Sequence, residues 1–398
     1  MSNATPNENS AMPDALIVGA GPVGAVCALA LQQQGIAARV LEAQSEDARA
    51  DSRTLALSHG SQLILERLGV WSRLQGVTPI TRIHISQRGA LGVARLSAED
   101  VNVPALGYVL PYATLTAALK QALAEAKIAV EYGVAVNGIE SEAAAATLHT
   151  DDGRSHTAPL VIVADGGRGD PTSTVGTAPE PKLQRDYEQM AVVCEVQTEL
   201  PHANQAYERF TPEGPAALLP KGDRYALVWT ASHADAERIA TMDDAEFLAA
   251  LYRHFGGRQG QFVSASPRKT FPLKLAYVGS TAADRVVRIG NAAQTLHPVS
   301  GQGFNIGLRD AWELASLCGD TAPAAPAALG NAAMLRTYAR GRRVDVLGGV
   351  GVTDFLVRVF SNDIAPVRHA RGLGLLALEL CPPLKNFVAR RMIFGARG

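Results

Sequence analysis

The chain has 398 residues, 47% of them hydrophobic and 19% charged, with a formal net charge of -1. That is enough ordinary globular sequence for two cores, and the near-neutral balance without Lys/Arg runs argues against a nucleic-acid partner. No uncharged apolar run approaches the ~20 residues needed to span a bilayer, and Cys27, Cys194, Cys318 and Cys381 have neither CxxC nor metal-ligand spacing.

Residues 1–13 are polar, lack an apolar signal-peptide core and read as a disordered leader. Residues 14–18 form a short apolar strand that ends at Gly19-Ala20-Gly21-Pro22-Val23-Gly24. Residues 22–34 then read as a helix stopped by Gly35, with Cys27 packed inside it. Residues 37–41 are a second strand closed by Glu42 and Ala43. This is a βαβ unit with a dinucleotide fingerprint. Gly19 allows the tight turn, Gly21 lets backbone amides approach a pyrophosphate, and Gly24 lets helix and strand pack closely. The helix N-terminus favours the pyrophosphate charge. Glu42, 23 residues after Gly19, is in register to accept hydrogen bonds from ribose hydroxyls. The fingerprint does not separate NAD from FAD.

Further along, residues 58–68 read as a helix, 82–95 as strand with turns, 115–126 as a helix and 129–132 as a strand. Residues 143–156 read as a hairpin turning at Asp151-Asp152-Gly153. Residues 160–164 form a buried strand that delivers Asp165 and Gly166 to its C-terminal end, where ligands of such sheets gather. From 189 to 272, alternating strands imply an inserted, mostly antiparallel sheet. A third segment begins with an apolar strand at 286–289 and continues through Gly290, Asn291, Gln294, His297, Pro298, Gly301, Gly303, Phe304 and Asn305 into a helix over 305–317. Its glycines let backbone amides approach a flat ligand, and a helix start stabilises negative charge there, as at N1 and the C2 carbonyl of a reduced flavin. Residues 321–333 read as a small-residue linker. The tail from Leu335 reads as helical.

These three motifs, in this order, resemble the class A flavoprotein monooxygenases, and within them the ubiquinone-biosynthesis hydroxylases. The resemblance runs from Asp14 to at least Asp345. It is carried also by Ser52-Arg53-Thr54-Leu55-Ala56-Leu57, by Tyr207-Glu208-Arg209-Phe210-Thr211-Pro212-Glu213-Gly214-Pro215, by Gly301-Gln302-Gly303-Phe304-Asn305-Ile306-Gly307-Leu308-Arg309-Asp310, and by Leu335, Tyr338, Arg342 and Asp345. Gly290-Asn291-Ala292-Ala293-Gln294, where many relatives have Gly-Asp-Ala-Ala-His, is most similar to the polyprenyl-methoxyphenol branch. After Asp165-Gly166 the run Gly167-Arg168-Gly169-Asp170-Pro171 departs from the Ser and Arg of many relatives.

The resemblance implies an α/β fold: a Rossmann-like FAD-binding domain of the para-hydroxybenzoate hydroxylase type, an inserted antiparallel-sheet substrate domain and a helical C-terminal tail. The expected FAD-binding segments are 14–80, 104–185 and 281–345, the substrate sheet 81–103 and 186–280, and the tail 346–398. FAD contacts are implied for Gly19, Ala20, Gly21, Pro22, Val23, Gly24, Glu42, Ala43, Arg53, Asp165, Gly166, Gly290, Asn291, Pro298, Gly301, Gly303, Phe304 and Asn305. The implied reaction transfers oxygen to a polyprenyl phenol ring through a flavin C4a-hydroperoxide, with NAD(P)H as electron donor, O2 as co-substrate and no metal. His297, the only histidine in the flavin loops, is the candidate base; capping or packing its loop is the alternative. Phe210, Pro220 and Trp229 are candidate pocket residues or ordinary core.

Residues 371–397 mix Leu373, Leu376, Leu380 and Phe387 with Lys385, Arg390 and Arg391, as in a basic amphipathic segment at an anionic membrane surface or a helix docked on the protein. The expected location is the cytoplasm with peripheral contact at the inner face of the membrane, in company with a quinone-biosynthesis complex. An FAD-dependent isoprenoid reductase and a non-catalytic flavin-binding subunit of such a complex are the competing readings.

Overall fold

The computed structural model describes residues 12–48, 53–89, 92–167, 182–295, 302–360 and 365–395. A six-stranded sheet carries the N-terminal strand Ala15–Val18 near its middle. On one side lie Ala38–Glu42 and Ala129–Tyr132; on the other lie Leu160–Val163, Val286–Arg288 and Thr281–Ala283. All neighbours are parallel except the last pair. The central strands are apolar throughout because both faces are covered. One face receives helices α1 (Pro22–Gln33), α2 (His59–Arg67) and α3 (Tyr112–Glu125). The other receives a three-stranded antiparallel meander over residues 136–158.

The inserted region is a second sheet, ordered Gln294–Thr295, Lys269–Tyr277, Leu183–Thr198, Arg224–Ser232, Gly214–Lys221, Gln205–Thr211, Arg82–Gln87 and Val93–Ser97. The hairpin over residues 82–97 therefore joins strands more than a hundred residues later, through a parallel pairing with Gln205–Thr211. Alternation divides this sheet cleanly. Val192, Cys194, Leu218, Leu227 and Trp229 face a pair of helices, α4 (His233–Thr241) and α5 (Asp244–Phe255). The sequence reading passed over this pair, although Ser232 and Asp243 are N-caps that accept the amides of Asp235 and Glu246. The opposite face turns toward the small antiparallel sheet of Thr54–Ser58, Gly107–Pro111 and Thr78–Ile80, and toward the long C-terminal helices.

The remaining helices are α6 (Gln302–Thr321), α7 (Ala332–Phe360), α8 (Ala365–Leu380) and α9 (Pro382–Phe394). Two expectations change. Helix α6 begins three residues before Asn305, which sits inside its first turn. The expected linker at 321–333 is pinned: Leu329 is buried, the amide of Arg285 donates to Gly330 O at 2.8 Å, and the Arg285 guanidinium donates to the Leu329 and Ala327 carbonyls.

Candidate active site

The first glycine turn does what its residue types allow. Gly19 has φ +102°, and a Cβ there would meet Ala164 O at 2.7 Å. A Cβ on Gly24 would run into Gly19 O, so only glycine lets α1 close against the turn. Gly21 differs: nothing lies within 4 Å of its Cβ position. The α1 N-terminus thus opens onto free space, with Pro22 as its first residue and no side-chain cap. Glu42, at the end of the second strand, accepts the Ala20 amide at 2.6 Å and the Gln44 amide at 2.8 Å. That fixes the carboxylate beside the turn, with Ala43 exposed next to it. An uncapped helix start, an open glycine and a fixed acid fit a dinucleotide's pyrophosphate and ribose.

The second and third motifs meet this turn at the ends of neighbouring strands. Asp165 accepts the Gly167 amide at 2.9 Å, and a Cβ on Gly167 would come within 3.0 Å of Asn291 O. Asp165, Gly166 and the exposed Asn291 are therefore brought together. Arg288, 5% exposed, carries an Nη1 with no hydrogen-bond partner among the described residues. Burial lowers its pKa, and the nearby Asp165 carboxylate opposes that shift. Gly290 has φ +60°, and both it and Gly307 pack against Val23, so α1, α6 and the Asn291 turn share one glycine-lined junction.

A buried charge network holds that junction. Asp310 accepts the Gly290 amide at 3.1 Å and the Gln294 amide group at 2.6 Å through one oxygen, and Arg342 Nε at 2.7 Å through the other. Arg342 also donates to Glu313 and Asp345, while Asp345 accepts Arg309 Nε at 2.8 Å. Burial opposes the Arg342 charge, but its acidic partners, Asp310 foremost, hold its pKa well above the ordinary range. The sequence motifs around Asp310 and Arg342 are thus the two halves of one clamp behind the Asn291 turn.

Asn305 has a different task from the one expected. Its Oδ1 accepts the Ser58 amide at 2.8 Å and Ser61 Oγ at 2.7 Å, and its Nδ2 donates to Ala56 O at 3.1 Å. The side chain therefore ties the first turn of α6 to the Thr54–Ser58 strand. Phe304 packs against the nucleotide-domain core, and Gly303 lies beside it in the same turn. Arg53, exposed, places its guanidinium 5.4 Å from the Tyr112 ring centre. His297, Pro298 and Gly301 lie outside the described residues. Among the described residues no group of His, Cys, Asp or Glu has a metal-binding arrangement.

The comparisons with known proteins agree with this geometry. A family profile described as an FAD binding domain matches residues 12–343. The ubiquinone hydroxylase UbiL of Rhodospirillum rubrum is 33% identical over 95% of this chain and 88% of its own length. The 3-demethoxyubiquinol 3-hydroxylase of Escherichia coli is 31% identical over 93% of this chain and 95% of its own. The chain belongs to the FAD-dependent ubiquinone-biosynthesis hydroxylases. It is a monooxygenase that uses FAD, with NAD(P)H as electron donor and O2 as co-substrate. Solved structures share the fold. PqsL of Pseudomonas aeruginosa superposes with TM-score 0.75 at 22% identity, over 92% of this chain and 99% of that one. Klebsiella pneumoniae HpxO with FAD superposes with TM-score 0.72 at 19% identity, over 97% of this chain and all of that one.

Sequence reasoning overlooked one residue that the fold makes conspicuous. Glu208 alternates with Ala206 and Phe210 on the sheet face turned toward the nucleotide domain, and burial raises its carboxyl to about 8. The signal was available as a lone acid between two core positions of a period-two strand.

Proposed function

We propose that this protein hydroxylates the aromatic ring of a polyprenyl (methoxy)phenol during ubiquinone biosynthesis. The observation that carries the reading is the similarity, over more than nine-tenths of the chain, to a ubiquinone hydroxylase and to a 3-demethoxyubiquinol hydroxylase. When bound, FAD supplies electron transfer from NAD(P)H and the activation of O2. The chain's own residues do the rest. The turn at Gly19, Gly21 and Gly24 takes the pyrophosphate and Glu42 the ribose. Asp165, Asn291 and Arg53 hold the middle of the cofactor. The clamp of Asp310 and Arg342 keeps the Asn291 turn rigid. The segment of His297, Pro298, Gly301 and Gly303 borders the ring. The second sheet roofs the site and keeps water from the reacting centre, so segments 81–103 and 186–280 form the substrate domain and 14–80, 104–185 and 281–345 the FAD domain.

A prenylated substrate partitions into lipid, and the C-terminal helices suit that. Leu373, Leu376, Leu380, Leu384 and Phe387 are all exposed, spaced three or four residues apart along α8 and α9. Exposed Arg390 adds positive charge beside this stripe. This face is our candidate for contact with the inner face of an anionic membrane, where a quinone-biosynthesis complex would meet it. No helix among the described residues is long and apolar enough to cross a membrane.

The test is direct. Purified protein is expected to carry a flavin spectrum, to consume NAD(P)H and O2 faster with a prenylated methoxyphenol, and to yield a ring-hydroxylated product with one oxygen from O2. A flavin-loaded protein that reduces the prenyl chain, or leaves every phenol unchanged, would overturn this function.

A further inference from the structure

Glu208 is the one acid on an otherwise apolar stretch of the inner sheet face. Ala206 packs with Ile80 and Val109 of the small sheet, and Phe210 packs with Ile85, Tyr187 and Val359 of α7. Between those two contacts lies roughly 13 Å of strand, long enough for a benzenoid ring, and Glu208 stands at its centre. Its neighbours in register are Ile85 and Ala217. Ala217 is partly open, as are Val228 and Val193 on the next strands of the same face. Glu208 is itself half-buried and has no hydrogen bond or ion pair among the described residues. A carboxyl deep in the protein that still meets open space, with no internal partner, awaits one from outside.

We infer that Glu208 binds the phenolic hydroxyl of the substrate and accepts its proton before oxygen transfer. This rests on the hydroxylase reading above and adds the residue that activates the ring. In the step, the phenol O–H bond breaks, the proton moves to a Glu208 carboxylate oxygen, and the electron pair stays on the phenolate oxygen. The ring carbons ortho and para to it become more nucleophilic toward the oxygen that FAD, NAD(P)H and O2 supply. The proton leaves with the product hydroxyl.

The chemistry of the carboxyl suits this task. Burial raises it to about 8, which narrows the gap to a phenol near 10. Other titratable groups on this seam are otherwise engaged or distant. Lys221 pairs with Glu195 and bonds Thr54. Arg371 donates to Val359 O and, in the favoured amide orientation, to Gln87. Tyr187 and Arg185 lie on the Leu183–Thr198 strand, and Tyr108 turns to Trp71 on its strand's other side. The α7 side chains of residues 352–358 lie outside those described. None of the described groups adds to the shift of Glu208, for which burial is the cause.

The experiment compares FAD-loaded wild type, Glu208→Gln and Glu208→Asp with a prenylated methoxyphenol from pH 6 to 10. Two readouts are taken: kcat/KM for the hydroxylated product, and ionisation of the bound phenol by anaerobic ultraviolet difference spectroscopy. Wild type is expected to rise about tenfold per pH unit to a plateau above pH 8. Glu208→Gln should lose that rise and fall on the order of 100-fold at the plateau, while retaining FAD and NAD(P)H oxidation. Glu208→Asp should keep the rise at a lower rate. A Glu208→Gln protein that binds FAD and keeps the wild-type profile and bound-phenol ionisation overturns the role and leaves the hydroxylase reading standing. Wild type that binds and ionises the phenol but never oxygenates it overturns the hydroxylase reading instead. If Glu208→Gln fails to retain FAD, Glu208→Asp decides: the same pH limb supports the role, and a flat profile overturns it.

Discussion

At the scale of single residues, the three glycines of the first turn divide into two kinds. Gly24 and Gly19 are required by the protein's own backbone, because a Cβ at either meets main-chain atoms. Gly21 has open space before it and an extended φ of -60° with ψ 170°, which alanine adopts freely. Gly24→Ala is therefore expected to lower thermal stability and abolish flavin retention together. Gly21→Ala should melt with the wild-type apoprotein yet lose FAD affinity, because its methyl group fills the approach to the amides. Differential scanning calorimetry with the ratio of visible to ultraviolet absorbance separates the two outcomes. Equal melting of both apoproteins would contradict the assignment. Cys27 shows the opposite case: it is fully buried, burial pushes its thiol up, and packing accounts for it.

Among elements, the decisive contact is between α6, α7 and the turn at Gly290. Arg342 is 2% exposed and meets three carboxylates, so its removal strands Asp310 and Asp345 in a dry site. Breaking a buried pair in this way costs about 3–5 kcal/mol. Arg342→Leu is thus predicted to lower the denaturation midpoint strongly. It should also weaken FAD binding, because Asp310 holds the Gly290 amide and Gln294. Undiminished FAD affinity in a destabilised variant would show that the clamp serves stability alone. A second test concerns α5 and its sheet. His254 is 4% exposed against Trp229 and Phe255, and burial foremost, with Arg88 and Arg209, lowers its pKa to about 3. The unfolded chain takes up this proton near pH 6.5 and the folded one near 3, so stability falls as pH drops through that window, by up to about 1.4 kcal/mol per pH unit. His254→Phe should flatten the slope between pH 6 and 4 in urea titrations; an unchanged slope would place the acid sensitivity elsewhere.

For the molecule as a whole, the C-terminal helices serve inside and outside at once. Ala389 and Ile393 of α9 are buried against Leu96, Val101 and Leu106, and Gln302 of α6 donates to Met392 O at 3.2 Å. A Cβ on Gly60 of α2 would meet Ile393 O at 2.7 Å, so α9 lies hard against the cofactor domain. Truncation before Arg371 would strip core as well as surface and is a poor test of membrane contact. Replacing Leu373, Leu376, Leu380 and Phe387 together by Ser leaves the buried positions intact. That variant is expected to keep its melting temperature, FAD and turnover of a short-chain phenol, but to lose flotation with anionic liposomes. Flotation equal to wild type would exclude this face. The sequence offered both docking and membrane contact for the tail; the structure has α9 docked by one face while the stripe points outward.

Much of the cofactor site was legible in the chain because it is local. A strand, a glycine turn and a helix start are specified by residues within a few positions of one another, and each motif names its own backbone geometry. The strand bearing Glu42, the Asp165 loop and the Asn291 turn were readable for the same reason. What sequence patterns left open depends on contacts between distant segments. Glu208 is an ordinary charged residue until strands from residues 82 and 205 pair and turn its face inward. Asn305 looked like a ligand contact until Ser58 and Ser61 arrived from 244 residues or more away to claim its oxygen. Short-range propensity fixes where a chain bends; which side chains end up dry, and therefore with altered acidity or without partners, is set only when remote surfaces exclude water between them.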